Sequence, residues 1–191
     1  MIIKLLEGKN INLRIAEKDD VLLIMRWWSD TQYMGEYQDV MNKTQPELEK
    51  IMLENTIFFI IEKKDGVKIG HITGWMIGRT MEIGFALIPS ERGKGYGTEA
   101  IQLMVDHLFL TKDIVRIQVT TDVKNVASQR ALEKAGFVRE GTMRKYFYAK
   151  GNYRDHFLYS ILREEWKEPK ILTKKTSQIK KHTGSHNLEK K

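Results

Sequence analysis

A glycine-rich segment at residues 88–100 carries the clearest chemical signal in the sequence. Its letters are IPSERGKGYGTEA, and three glycines and two cations lie within six positions: Gly93, Gly95, Gly97, Arg92 and Lys94. Glycines permit positive φ angles and let a ligand approach the backbone closely. A predicted strand precedes the segment and a predicted helix follows it, so its N–H groups would gather at a positively polarised helix N-terminus. The pattern therefore predicts an anion site that suits a diphosphate.

Two common diphosphate motifs do not fit this segment. The Walker A pattern requires Gly-Lys-Ser/Thr, but Gly95 follows Lys94, and the position of the first glycine holds Ile88. The dinucleotide fingerprint requires a third glycine, and Thr98 stands there when the count begins at Gly93. A loop that only turns the chain is the remaining alternative, and the two cations make an anion site the better interpretation.

Alternating strand and helix patterns must position this segment. Apolar alternation and turn residues predict strands at 11–15, 57–62, 68–77, 81–88 and 116–121, and a final hairpin of 138–148 and 156–161. Helices are predicted at 21–28, 44–55, 97–110 and 125–135. This order predicts a mixed α/β sheet with helices on both faces. Strands 57–62, 68–77 and 81–88 should form an antiparallel meander, and 81–121 should be a right-handed parallel crossover.

Capping residues define three of the predicted helix ends. Asp19 and Asp20 can cap the helix at 21–28, and Thr44 with a glutamate three residues later begins the next helix. Gly136 predicts a left-handed end for the helix at 125–135, with Phe137 as its hydrophobic partner.

The composition excludes several classes of protein. The 191 residues include no cysteine, which excludes disulfides, thiolate zinc sites and a cysteine nucleophile. The five histidines show no metal-ligand spacing, so no metal site is predicted. No apolar run approaches the ~18 residues of a membrane span, and the N-terminus lacks a signal peptide's pattern. We therefore expect a cytoplasmic protein without membrane contact.

The positive charge is concentrated at the C-terminus. Residues 167–191 contain eight lysines and two glutamates, which account for most of the net charge of +7. We predict a nearly neutral domain at 1–166 and a basic, flexible or weakly helical tail at 167–191. The tail could contact RNA or the ribosome, or it could simply increase solubility.

Two motifs and their spacing resemble the GCN5-related N-acetyltransferase family. Residues 92–97, RGKGYG, match that family's Arg/Gln-x-x-Gly-x-Gly/Ala pyrophosphate loop. Residues 125–137, NVASQRALEKAGF, resemble a helix of the branch that acetylates ribosomal-protein N-termini, whose relatives act on polyamines or antibiotics. Residues 154–166 are similar to that branch's last strand, and the resemblance spans about 8–166.

The resemblance implies a fold and a co-substrate. The sheet would be largely antiparallel and splayed between the fourth and fifth strands, counted from the strand at 11–15, with acetyl-CoA in the opening. The residues implied to hold the pyrophosphate are Arg92, Gly93, Lys94, Gly95, Gly97 and Thr98. The backbone of Leu87 and Ile88 would pair with the pantetheine arm, and Asn125 would hydrogen-bond it.

The absence of cysteine favours direct attack of a neutral amine on the thioester over an acyl-cysteine relay. Glu82 is the candidate base, since burial in an apolar strand would raise its pKa, although a cross-strand ion pair is equally open. A strand N–H near Leu87 would stabilise the oxyanion. Many family members use a tyrosine as acid where this chain has Leu132, so Ser128 is the candidate here. Tyr146 and Tyr148 are second choices, for which core packing is the alternative.

An aromatic and acidic cluster follows the first predicted helix and would line the acceptor side. Its candidate substrate-binding members are Trp28, Tyr33, Glu36 and Tyr37. Aromatic faces and carboxylates suit a cationic amine, whereas helix packing is the alternative role for the tryptophans.

The predicted function is acetyl transfer from acetyl-CoA to a protein N-terminal α-amine, with a ribosomal protein as one such acceptor. A polyamine or an aminoglycoside is the alternative acceptor. A non-catalytic module that senses acyl-CoA or binds nucleic acid is the alternative of another class. Relatives are often homodimers, so the resemblance also implies a homodimer.

Overall fold

The computed structural model describes residues 6–53 and 56–169. Its strands are β1 (Leu6–Glu7), β2 (Ile11–Ile15), β3 (Thr56–Lys63), β4 (Lys68–Ile77), β5 (Thr80–Leu87), β6 (Arg116–Asp122), β7 (Val138–Ala149) and β8 (Asn152–Leu162). Its helices are α1 (Val21–Ser29), α2 (Thr31–Met34), α3 (Gln45–Leu53), α4 (Tyr96–Thr111) and α5 (Val126–Lys134). The predicted end of the helix at 44–55 and most of the predicted tail lie outside the described residues.

One sheet of eight strands organises the chain, in the order β1-β2-β3-β4-β5-β6-β8-β7. Neighbouring strands are antiparallel except β5 and β6, which are parallel. The predicted meander, parallel crossover and mixed sheet are thereby confirmed. The parallel strands pair only from Thr80–Arg116 to Glu82–Gln118, and both continue beyond that point. The sheet is therefore splayed between the fourth and fifth strands counted from Ile11, as predicted.

Helices cover both faces because the strands alternate. In β3, Phe59 and Ile61 face a core that includes α4, whereas Phe58 and Ile60 face a second core that includes α1 and α3. No helix within residues 6–53 and 56–169 has the length and hydropathy of a membrane-spanning segment.

Most predicted helices and strands lie within two residues of their observed bounds, but two short elements were missed and one long strand begins earlier than predicted. β1 and α2 have too few residues to show a period, and β8 begins at Asn152, four residues before the prediction. The Glu47 carboxylate accepts from the backbone N–H of Thr44 at 2.8 Å, as expected for a glutamate three residues after the cap. Gly136 has the predicted positive φ, 99°, and Phe137 packs in the core.

The predicted cap of α1 is wrong, because the Asp20 side chain makes no cap hydrogen bond to that helix. Its carboxylate instead receives Arg14 Nη2 at 2.8 Å and Lys68 Nζ at 2.6 Å. Arg14 also donates to Glu62 at 2.8 Å, so four charged side chains join β2, β3, β4 and the turn before α1. Burial opposes ionisation, yet the hydrogen bonds from Arg14 and Lys68 lower the pKa of Asp20 to about 2.

Asp20→Asn should destabilise the protein at neutral pH, because it leaves the buried Arg14 with only one of its two carboxylate partners, Glu62. A carboxyl whose pKa is lower in the folded than in the unfolded protein stabilises the fold at pH values above its unfolded-state pKa. This contribution is lost as the pH falls through its folded-state pKa. The shift from 3.8 to about 2 corresponds to about 2 kcal/mol, present above pH 4 and lost towards pH 2. The difference in the free energy of unfolding between the wild type and Asp20→Asn is measured by urea unfolding at pH 7 and at pH 3.

Asp19→Asn is the matched control, since Asp19 is the exposed neighbour on the same turn. It should leave the free energy of unfolding within about 0.5 kcal/mol of the wild type. Equal loss in both variants would contradict the role given to the Asp20 carboxylate.

Candidate active site

The closed end of the opening between β5 and β6 holds a buried carboxylate. Glu82 is 7% exposed and accepts a hydrogen bond from Gln118 Nε2 at 2.9 Å. These two residues form the last registered pair before the strands part. Gln118 thus fixes the carboxylate at the vertex of the opening, where the sequence predicted a general base.

Two helix N-termini lie at the open end. The carboxyl ends of parallel strands meet at one edge of a sheet, and here β5 leads to α4 while β6 leads to α5. α4 has Gly95 as its N-cap residue, and no side chain caps it. Its first N–H groups therefore lack an intrahelical partner and carry partial positive charge. This end of the opening can bind an anion, as the glycine segment predicts.

The glycine loop leaves open space above its backbone. Gly93 and Gly95 have φ angles of 76° and 88°, and a Cβ added to either would meet nothing within 4 Å. Lys94 pairs with Glu91 at 3.0 Å and remains half exposed. Glu99, in the first turn of α4, is held by Asn10, which donates to it from its backbone and its side chain.

Arg92 connects the loop to neighbouring elements. Its Nε donates to Leu87 O at 3.0 Å, and its Nη2 donates to Gln32 O at 3.0 Å and Tyr33 O at 2.6 Å. The guanidinium thus joins the end of β5 to the carbonyls of α2. Its predicted contact with pyrophosphate stays a prediction, and the structure adds a positioning role that the motif alone did not indicate.

The backbone at the end of β5 distinguishes Leu87 from Ile88. Ile88 donates its N–H to Ile69 O at 2.9 Å, and its carbonyl accepts from Glu91 N at 3.0 Å. Because backbone groups alternate along a strand, the N–H of Leu87 points to the β6 side. An arm lying in the opening would therefore pair with Leu87, and the predicted pairing with Ile88 is disfavoured.

Asn125 and Ser128 lie at the start of α5, opposite the glycine loop. Asn125 Oδ1 accepts from Ser128 N at 3.1 Å and so caps the helix. Both residues are half buried. Leu132, which replaces the family's tyrosine, is fully buried in the core. The roles of Asn125 and Ser128 towards a ligand stay predictions.

The predicted acceptor cluster does not form one surface. Trp28 and Tyr33 are buried, and the Tyr33 hydroxyl lies 2.7 Å from His71 Nδ1 and donates to Ala86 O at 3.2 Å. Burial lowers the pKa of His71 to about 4 and raises that of Tyr33. We therefore revise the role of Trp28 and Tyr33 from substrate contact to packing beneath the site.

The segment from Gly35 to Thr44, here named the crossing segment, bridges the two sides of the opening. Tyr37 donates its hydroxyl to Lys124 O at 3.1 Å, and Asp39 accepts from Lys150 N at 3.0 Å. α2, just before this segment, is tied to β5 through Arg92. Tyr37 is half buried and Glu36 is exposed, so these two side chains remain candidates for acceptor contact.

Sequence reasoning missed Gln118 and His156, which share the face of the sheet that carries Glu82. The register, which no local pattern reveals, places them there. Within residues 6–53 and 56–169, no group of three or more metal-ligating side chains is found.

Comparisons with known proteins agree with the geometry. The model of the acetyltransferase (GNAT) domain family matches residues 10–138. An uncharacterized N-acetyltransferase, p20, of Bacillus licheniformis is 31% identical over 171 residues, which cover 83% of this chain and 96% of that protein. The spermidine N(1)-acetyltransferase of Escherichia coli K12 is 26% identical, over 82% of this chain and 88% of its own length.

A solved structure shows the same fold. RimJ of Mycobacterium smegmatis, in complex with CoA-disulfide, superposes with a TM-score of 0.73 and 26% identity. The match covers 84% of this chain and 85% of the RimJ chain.

Gly95→Ala tests the anion site at the glycine loop. A Cβ there would occupy the open space above the loop, and alanine in the left-handed region costs about 1–2 kcal/mol. We expect the affinity for coenzyme A, measured by calorimetry, to fall about tenfold or more.

Gly66→Ala is the control, because Gly66 has nearly the same φ, 87°, and equally open space, but lies in the β3–β4 turn. It should lose similar stability and keep its affinity for coenzyme A. If the two variants bound coenzyme A equally well, the loop would not be the anion site.

Proposed function

The chain belongs to the acetyltransferase (GNAT) family, and we propose that it transfers the acetyl group of acetyl-CoA to the N-terminal α-amine of a protein. The family match and the relatives' activity support N-acetyl transfer. The observation that carries the proposal is the position of Glu82, a buried carboxylate at the vertex of the opening whose other end has two helix N-termini. Acetyl-CoA, the co-substrate of the family, supplies the activated acetyl group.

Glu82 accepts the proton of the attacking amine in this proposal. Leu87 lies five residues after Glu82, about 16 Å away along an extended strand. A chain of ordered water molecules therefore carries the amine's proton from a reaction centre near Leu87 to the carboxylate, which Gln118 holds in place. The chain's lack of cysteine agrees with direct attack in a ternary complex.

Backbone and hydroxyl donors complete the chemistry. Phe85 and Leu87 share the strand parity that points N–H groups into the opening, so either can donate to the thioester oxygen. Ser128, one turn into α5, is the proposed donor to the leaving thiolate. Arg92 and the glycine loop bind and orient the pyrophosphate beside α4.

Charge on the β7–β8 hairpin supports a peptide acceptor over a polycation. Arg144, Lys145 and Lys150 are exposed on this hairpin. Its tip contacts Asp39 of the crossing segment and so borders the opening. Like charges repel a polyamine more strongly than a peptide that carries a single α-ammonium group. RimJ, one of the solved relatives, belongs to the branch that the sequence motifs resemble.

A polyamine is the second candidate acceptor. The relationship to the E. coli spermidine enzyme favours it, as do the two acidic residues of the crossing segment, Glu36 and Asp39. Turnover of acetyl-CoA with an equimolar panel of alanine-initiated peptides, spermidine and an aminoglycoside, read by mass spectrometry, decides between them. Acetylated peptide α-amine is expected, and acetylated spermidine alone would overturn the peptide proposal.

Glu82→Gln should lower kcat for peptide acetylation by about 10²–10⁴-fold, because the amide cannot accept the amine's proton. Binding of coenzyme A should stay within twofold of the wild type, since the glycine loop is distant from Glu82. Stopped-flow detection of free thiol measures the rate.

Glu140→Gln is the control, a carboxylate on the edge strand β7 that Arg116 and Ser160 hold. It should turn over at the wild-type rate. Equal rates for Glu82→Gln and the wild type would remove Glu82 from the reaction.

The boundary proposed at residue 166 also has structural support. Trp166 donates to Asp106 at 2.8 Å and packs on Phe109. These contacts hold the end of the domain at 1–166 against α4. Deletion of residues 167–191 should leave the rate of acetyl transfer to a dipeptide amide unchanged within twofold. A loss of that activity would show that the catalytic domain extends beyond Trp166.

A further inference from the structure

His156 is a buried polar side chain whose ring nitrogens have no partner. It is 8% exposed, and neither Nδ1 nor Nε2 makes a hydrogen bond in the described structure. Buried polar groups in proteins are nearly always hydrogen-bonded, and leaving one unpaired costs about 1–3 kcal/mol. An unpaired imidazole therefore calls for a partner that the chain itself does not provide.

The register places His156 on the face that carries Glu82. Glu82 pairs with Gln118 of β6, and Asp122 lies four residues further along that strand, on the same face. His156 of β8 is the registered partner of Asp122. It therefore lies beside the open end of the cleft, about 13 Å of strand from the vertex.

The neighbouring charged groups are already paired with one another. Asp122 accepts from Arg154 Nη1 at 3.0 Å through one oxygen and from Lys124 N at 2.7 Å through the other. Two rings cover the imidazole, those of Tyr146 and Phe147, each with its centroid 5.4 Å away. Tyr146, 43% exposed, separates His156 from solvent.

The covering ring lies in an irregular stretch of β7. The register shifts between Met143 and Phe147, so three residues bulge opposite Asp155. Lys145 in this bulge has a φ of 50°, an unfavourable left-handed conformation for lysine. Tyr146 is also not the packed core residue that the sequence suggested, since it is exposed, and a ligand that reaches His156 would displace a ring that is already partly in solvent.

We propose that His156 is a specificity-determining residue that hydrogen-bonds the backbone of a peptide acceptor, several residues from its reacting amine. The proposal rests on the acetyl transfer proposed above. A ligand arm that lies in the opening as a strand would is two strand spacings, about 10 Å, from β8, so the contact falls near the third or fourth residue of the acceptor.

The chemistry of the ring selects a peptide rather than a polyamine. Burial lowers the pKa of His156, against the opposing effect of Asp122, so the ring is neutral near pH 7. A neutral imidazole offers one donor and one acceptor, and a peptide unit provides one acceptor and one donor. An ammonium group offers donors only and would leave the imidazole N–H unpaired.

Peptide length tests the proposal. The affinities of an alanine-initiated dipeptide amide and a hexapeptide amide that begins with the same two residues are measured by calorimetry, with the full-length enzyme saturated with coenzyme A so that no transfer occurs. The wild type should bind the hexapeptide about tenfold more tightly. His156→Phe should abolish this gain, and His156→Gln, which keeps a donor and an acceptor, should retain most of it.

The stability of the free enzyme separates a structural role from recognition. His156→Phe removes two unpaired polar atoms, so its Tm should equal or exceed that of the wild type. His107→Phe, at the half-buried histidine of α4, should bind the hexapeptide more tightly than the dipeptide by the same factor as the wild type. In the wild type, the imidazole ¹⁵N signals of His156 should shift with the hexapeptide and not with the dipeptide, which tests the contact without any variant.

Each outcome decides one question. The role of His156 would be overturned if the wild type bound both peptides equally tightly, or if His156→Phe kept the tighter binding of the hexapeptide. Failure of the wild type to acetylate any amine would defeat the proposed function instead, and the affinities with coenzyme A would still decide whether His156 contacts the peptide.

Discussion

The parting of β5 and β6 is the constraint on which the site depends. The strands pair at three positions and then diverge, while each keeps its other neighbour in the sheet. Parallel strands require a crossover, and α4 provides it while it packs beneath the sheet. Beyond the point of divergence, the facing backbone groups of β5 and β6 are available to a ligand, which can pair with them as a strand would. The N-termini of α4 and α5 lie at the same edge of the sheet.

Long-range polar contacts hold the two sides of the opening. Arg92 joins the glycine loop and β5 to α2, and the crossing segment that follows α2 reaches Lys124 and Lys150 on the opposite side. The loop that is proposed to bind pyrophosphate is thus connected, through the hydrogen bonds of Arg92 to α2, to the segment that is proposed to meet the acceptor. This arrangement explains why Tyr33 is buried beneath the site, with its hydroxyl against His71, and does not line the acceptor surface.

Local patterns predicted the fold well, since strand alternation, helix periodicity and Gly136 are local properties of the sequence. The glycine loop was predicted for the same reason. The sequence could not predict contacts that depend on strand register. These are the pairing of Glu82 with Gln118 and the pairing of Asp122 with His156. Asp20 shows the same limit, because its position suggested a helix cap while Arg14, on a neighbouring strand, binds its carboxylate. Burial of Trp28 and exposure of Tyr146 likewise depend on tertiary packing.

The central claim is that acetyl-CoA occupies the opening between β5 and β6 with its pyrophosphate on the glycine loop. Amide hydrogen exchange with and without acetyl-CoA tests it most directly, because it locates the ligand along the whole backbone. We expect acetyl-CoA to slow exchange at 85–98 and at the start of α5, with little change in β1–β3. Protection confined to other segments, with 85–98 unaffected, would contradict it.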